Sequence, residues 1–125
     1  MYTNEQLEAV SDFITALQFV ASRHNVRMIQ NTFFDGLGLY KSILRLESGL
    51  GEVRCCAIGA HMMLERSVPK RQLAYDAYQQ CYGTDPSVDN DTHGWEYVRD
   101  RLMAILNEHK GLRMTWLYGG VGLGN

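Results

Sequence analysis

Cys55-Cys56-Ala57-Ile58-Gly59-Ala60-His61-Met62-Met63-Leu64 is the stretch on which the fold turns. No polar face interrupts it before Glu65, and a helix that is apolar all round must be buried by its neighbours. The run therefore predicts a central helix packed in other helices. Gly59 inside it costs about 1 kcal/mol in helix propensity, which points to a close helix–helix approach there.

Outward from this run, amphipathic helices are expected on both sides. Thr3 and Gln6 form a capping box, in which hydroxyl and amide satisfy free backbone N–H groups reciprocally. Leu7, Val10, Phe13, Ile14, Leu17 and Val20 then recur at three- and four-residue steps, the stripe of a helix that buries one face. Asn25 is a plausible left-handed stop after it. Ser67 as a cap, Pro69 in the first turn and Gly83 past the end delimit another helix. Its buried face is Leu73, Ala74, Ala77, Tyr78 and Cys81. A last helix is predicted from Trp95 to His109, with Trp95, Val98, Leu102, Ile105 and Leu106 inward and Gly111 ending it.

Other segments are less periodic. Val26 to Ile29 fits a short strand or a further helical turn. Asp35-Gly36-Leu37-Gly38 reads as a turn, Leu39 to Glu47 as a short helix, and Ser48-Gly49-Leu50-Gly51 as a tight loop. Thr84 to Gly94 reads as a polar, acidic loop. Residues from Leu112 start strand-like at Met114, Trp116 and Tyr118, then run into a glycine-rich tail at 119–125. The sum is a mainly α single domain of four or five helices with one or two short extended segments.

Composition narrows the function classes. A chain of 125 residues accommodates one domain. Its 12 basic and 14 acidic residues are mixed, so the basic stripe of a nucleic-acid binder is missing and that partner is disfavoured. Three cysteines, two of them adjacent, do not make a disulfide framework and suit a reducing compartment. The first residues lack a signal-peptide pattern, and no apolar run reaches the ~20 residues of a membrane span. The expectation is a cytoplasmic protein without membrane association.

Four constellations could carry chemistry. Asp89-Asn90-Asp91-Thr92-His93-Gly94, with Asp100 beyond, partly matches a calcium loop. However, His93 is a poor ligand for a hard cation and Asp100 is short for the bidentate position. Asp91 or Thr92 capping the next helix is the simpler reading. Cys56 opens an apolar helix, whose N-terminus lowers a thiol's pKa. With His93 as base and Asp91 nearby, it forms the candidate catalytic set of a small cysteine-dependent enzyme. Against that stands Cys56 as a small buried hydrophobe. Cys56, His61 and Cys81 lack the spacing of a zinc site, and His61 reads as a hydrogen-bonded core histidine. The glycine-rich tail has no following helix to receive a phosphate, so neither metal nor cofactor is expected. Finally, Trp116, Tyr118 and Trp95, with Asp89 and Asp91, form the candidate partner-binding set, because Tyr and Trp are enriched at interface hot spots. A homodimer is compatible with the same aromatics.

Cys56-Ala57-Ile58-Gly59-Ala60, following Gly51, resembles the C-x-x-G-A helix start of a family of small uncharacterised bacterial and phage domains. Asn90-Asp91 before the helix from Trp95 sits where that family has an Asn-Asp loop, and the likeness spans residues 51–107. The family carries no assigned activity. The resemblance implies a small helical fold of bacterial or phage origin. The leading functional expectation is a non-enzymatic interaction protein, phage-encoded and modulating or inhibiting a host defence protein. The alternatives are the thiol enzyme and a small-molecule or nucleotide-signal binder.

Overall fold

The computed structural model describes residues 1–108. Its elements run α1 (Asn4–Ala21), β1 (Val26–Met28), α2 (Leu39–Ser48), β2 (Val53–Cys55), α3 (Ala57–Leu64), α4 (Val68–Tyr82), α5 (Pro86–His93) and α6 (Trp95–Asn107). The architecture is mainly helical, as the patterning predicts, with one helix more than expected.

The capping box forms at the start of α1, Thr3 Oγ1 accepting from Gln6 N–H at 3.0 Å and Gln6 Oε1 from Thr3 N–H at 2.9 Å. All six residues of the predicted stripe are buried. They pack against α4, α6 and α3. α1 thus shares the centre with α3, which buries six of its eight residues. Asn25 is not a left-handed stop. The helix ends at Ser22 in right-handed geometry, and the Asn25 amide donates to Arg45 O at 3.0 Å and Gly51 O at 2.8 Å. It fastens the end of α2 and the following turn to the start of β1.

β1 and β2 pair in parallel, Val26 with Val53 and Met28 with Cys55. Parallel strands need a crossover connection, and α2 provides it. On the other side of β2, Phe34 bridges Cys55 in antiparallel sense and Phe33 O accepts from Cys56 N–H at 3.0 Å. Cys55 therefore belongs to a strand, and the apolar helix begins at Ala57, two residues after the start of the apolar run.

The predicted acidic loop 84–94 is a helix. Asp85 Oδ1 accepts from Ser87 N–H at 2.8 Å and Pro86 fills the first turn. An Asp-Pro pair opens a helix as readily as a turn. Gly94, at φ +92°, ends α5 and starts α6 without a side-chain cap. Asp91 and Thr92 therefore do not cap α6; the Thr92 hydroxyl donates back to Val88 O at 2.9 Å. The strand-like segment, the glycine tail, Gly111, Trp116 and Tyr118 lie outside the described residues.

Candidate functional site

Two concave places draw on residues singled out by the sequence or by exposure. The first is a cavity of about 320 Å³ between the β1–α2 loop, the start of α3 and one face of α5, lined by Asn31, Thr32, Phe33, Cys56, Ser87 and Asp91. It brings together Cys56 and Asp91 from the candidate catalytic set. His93 is elsewhere: its ring lies 4.2 Å from that of Tyr97, and no hydrogen bond joins it to Cys56.

Cys56 is the N-cap of α3, and its Sγ accepts from Gly59 N–H at 3.4 Å. That bond and the helix start favour the thiolate. Burial outweighs them, however, and the thiol is pushed above its ordinary value. A buried neutral thiol capping a helix is not an activated nucleophile. Cys55 is more deeply buried, and burial lifts it to about 12.

The other candidates have structural duties. Asp89 is buried between α4, α5 and α6, where it accepts from the Tyr78 hydroxyl at 2.5 Å and from Arg101 Nη1 at 3.1 Å. The Arg101 guanidinium lies over the rings of Tyr82 and Tyr97, at 4.2 and 4.7 Å. Asp89 is thus withdrawn from any partner surface, contrary to its place in the predicted binding set. The helical course of 86–93 also removes the loop that a calcium ion of that type needs. Trp95 is half-buried, with the Arg99 guanidinium 5.1 Å from its ring. His61 is the core residue its setting suggests, stacked on Phe13 at 4.1 Å with Nδ1 3.2 Å from the Tyr75 hydroxyl. Among the described residues no group of three or more His, Cys, Asp or Glu is placed to hold a metal ion.

Gly59 matters for the cavity wall. A Cβ there would stand 2.3 Å from Phe33 O, the carbonyl that Cys56 N–H already holds. The close approach is between helix and loop backbone, not between two helices as the glycine suggests in isolation. Gly59→Ala should destabilise the protein by about 1–3 kcal/mol, because overpacking against backbone outweighs the gain in helix propensity. In chemical denaturation, an unchanged or raised midpoint would show that loop and helix do not meet this way.

The second place is a groove of about 370 Å³, lined by Phe19 and Arg23 of α1 and its end, Ile43, Leu46 and Glu47 of α2, and Met63 and Leu64 of α3. Phe19 and Leu64 remain 45% and 43% exposed. Tyr40 and Leu44, one turn apart on α2, are also exposed, at 75% and 64%. The Arg23 guanidinium lies over the Phe19 ring at 5.4 Å, Nη2 makes one long bond of 3.5 Å to Leu46 O, and Nε is buried without a partner among the described residues. Among the described residues no carboxylate pairs with it. Sequence reasoning missed this groove because its residues come from three elements. The only local sign is Phe19, an aromatic off the buried stripe of α1.

Comparison with known proteins gave no match to a family model, to a curated protein or to a solved structure.

Proposed function

We propose that the protein is a non-enzymatic interaction protein whose α1–α2–α3 groove receives an apolar side chain of a partner protein. The groove itself carries this reading. An apolar floor from Ile43, Leu46 and Met63 lies beside two half-exposed apolar side chains, and exposed apolar concavities of this kind mark binding surfaces. Arg23 and Glu47 both line the groove, so its charges are balanced and the apolar contact carries the recognition.

Leu64→Glu places a carboxylate in the groove at a position exposed enough to tolerate it. The expected result is that a partner retained stoichiometrically by the wild-type chain from bacterial lysate binds this variant at least about tenfold more weakly, a loss of about 1.4 kcal/mol. Its thermal midpoint should stay close to wild type. Equal retention by Leu64→Glu, or an empty wild-type eluate, would overturn the proposal. Trp116→Ala, run in parallel, separates the tail from the groove: loss there alone moves the interface to the tail. Formation of a homodimer that Leu64→Glu dissociates would replace the foreign partner by a second copy.

The finer form of the proposal is a phage-encoded modulator or inhibitor of a host defence protein, acting in the bacterial cytoplasm. It rests on the family resemblance, and the identity of the captured partner decides it. Three free cysteines, two of them buried, support a reducing location. Among the described residues no helix is long and apolar enough to cross a membrane.

A further inference from the structure

The cavity at Cys56 and Asp91 goes beyond the interaction reading and does not depend on it. Its walls are fixed from both sides. The Gln30 amide donates to Asn90 O and Asp91 O at 3.1 Å each, and Asn31 N–H donates to Asp91 Oδ1 at 2.7 Å. The Asn90 side chain accepts from Ala57 N–H at 3.1 Å and donates to Ile29 O at 3.3 Å. Asn31 is held at φ +75°, and it alone of the described non-glycine residues is left-handed. Such a conformation persists where the surroundings over-determine it, which is common at ligand sites.

What the cavity offers to a ligand follows from which hydrogen bonds are already made. Two of the first N–H groups of α3 are consumed, Ala57 N–H by Asn90 and Gly59 N–H by Cys56 Sγ. The Ser87 hydroxyl donates to Asp85 Oδ1 at 2.7 Å and the Thr32 hydroxyl to Phe34 O at 3.1 Å, so both present only lone pairs. Asp91 keeps its second carboxylate oxygen, and among the described residues no lysine or arginine lines the wall. The Phe33 ring at the rim is 49% exposed. Cys56 is 2% exposed, and its S–H has no acceptor among the described residues. The inventory is one negative charge, several acceptors, the Asn31 amide and an aromatic edge, with no positive charge among the described residues to hold an anion.

We propose that this cavity binds a small organic cation, a primary ammonium or guanidinium whose N–H groups bridge Asp91, Ser87 and Thr32 while its carbon skeleton lies on Phe33. The same head occurs on free amines and on the side chains of Lys and Arg in a partner protein. The test is an amide-shift titration of the full chain at low salt with agmatine and tyramine. The anion 3-(4-hydroxyphenyl)propionate serves as the shape match to tyramine.

The amines should bind with shifts confined to residues 31–33, 56, 87 and 91. Asp91→Asn, which keeps an acceptor for Asn31 N–H, should weaken them at least about tenfold. Equal binding of the anion, indifference to Asp91→Asn, or no saturation by either amine would overturn the proposal. A capped Gly-Arg-Gly peptide binding more tightly than agmatine assigns the cation to a protein side chain. The reverse order assigns it to a free amine.

Discussion

Asp89→Ala is expected to destabilise the protein by roughly 2–4 kcal/mol, from a buried hydrogen bond to a charged group plus an ion pair that solvent partly screens, the Arg101 side chain being 30% exposed. Against a total stability of about 5–15 kcal/mol for a domain, this approaches unfolding at physiological temperature. The carboxylate is buried, and one of its oxygens serves both the Tyr78 hydroxyl, at 2.5 Å, and Arg101, at 3.1 Å. Truncation leaves a fully buried phenol without an acceptor and a guanidinium without its counter-charge. Arg101 keeps the rings of Tyr82 and Tyr97, while the Tyr82 hydroxyl donates to its backbone carbonyl at 2.7 Å. The three helices α4, α5 and α6 are therefore joined at one acidic residue.

Asp89→Asn separates charge from geometry. It retains an acceptor for Tyr78 and loses the attraction to Arg101, so it should cost clearly less than the alanine. Tyr78→Phe removes only the hydroxyl, at about 1.5–3 kcal/mol for a hydrogen bond to a charged group. Urea denaturation followed by circular dichroism reads all three as shifts in midpoint. An alanine variant within about 1 kcal/mol of wild type, inside the range of an ordinary point mutation, would mean that this cluster does not hold the helices together.

The same residue shows where sequence reasoning stops. Acidic residues are mostly exposed, so sequence alone puts Asp89 on a partner surface, and nothing local to it announces Tyr78 or Arg101. Helix α5 stayed hidden for a related reason. Its buried residues are Pro86, Asp89 and Asn90, so the face that packs inward has no apolar stripe for a periodicity argument to find. Where burial is apolar and the caps are local, the start of α1 at Thr3-Gln6 and both ends of α4 at Ser67-Pro69 and Gly83 were legible to within a residue or two, while the stop of α1 was not. The parallel pairing of β1 with β2 joins segments separated by α2, and three-residue strands leave too little alternation to read.

The site was legible in part. The position of Cys56 at a helix start follows from sequence; its protonation does not, because burial opposes the helix field and wins. Asp91 meets the Cys56 cavity through the loop at Asn31, a contact across 60 residues that only the fold creates. His61 was legible as core because a lone histidine in an apolar run has few other fates.

That core histidine leads to a pH dependence of comparable size. Burial, reinforced by the Arg71 charge, pushes His61 down to about 3. Its ring stacks on Phe13, and Nδ1 faces the Tyr75 hydroxyl. In the unfolded chain the imidazole takes up a proton near its ordinary value of about 6.5, while the folded protein excludes that proton until about pH 3. The unfolded state therefore binds more protons throughout this window. Stability is fully present above pH 6.5 and falls as the pH drops towards 3, by about 1.4 kcal/mol per pH unit once the unfolded chain is protonated. Between pH 6.5 and 5 the loss should reach roughly 1.5–2 kcal/mol.

Below that range carboxylates join in. Asp12, pushed up by burial and by the Glu8 charge, works in the opposite sense. The upper part of the window therefore isolates the histidine. His61→Phe keeps a ring against Phe13 and removes the titrating group, so its unfolding free energy should be flat between pH 6.5 and 5 where wild type declines. Equal slopes in the two proteins would assign the acid sensitivity to another group and would mean that the imidazole can accept a proton without leaving the core.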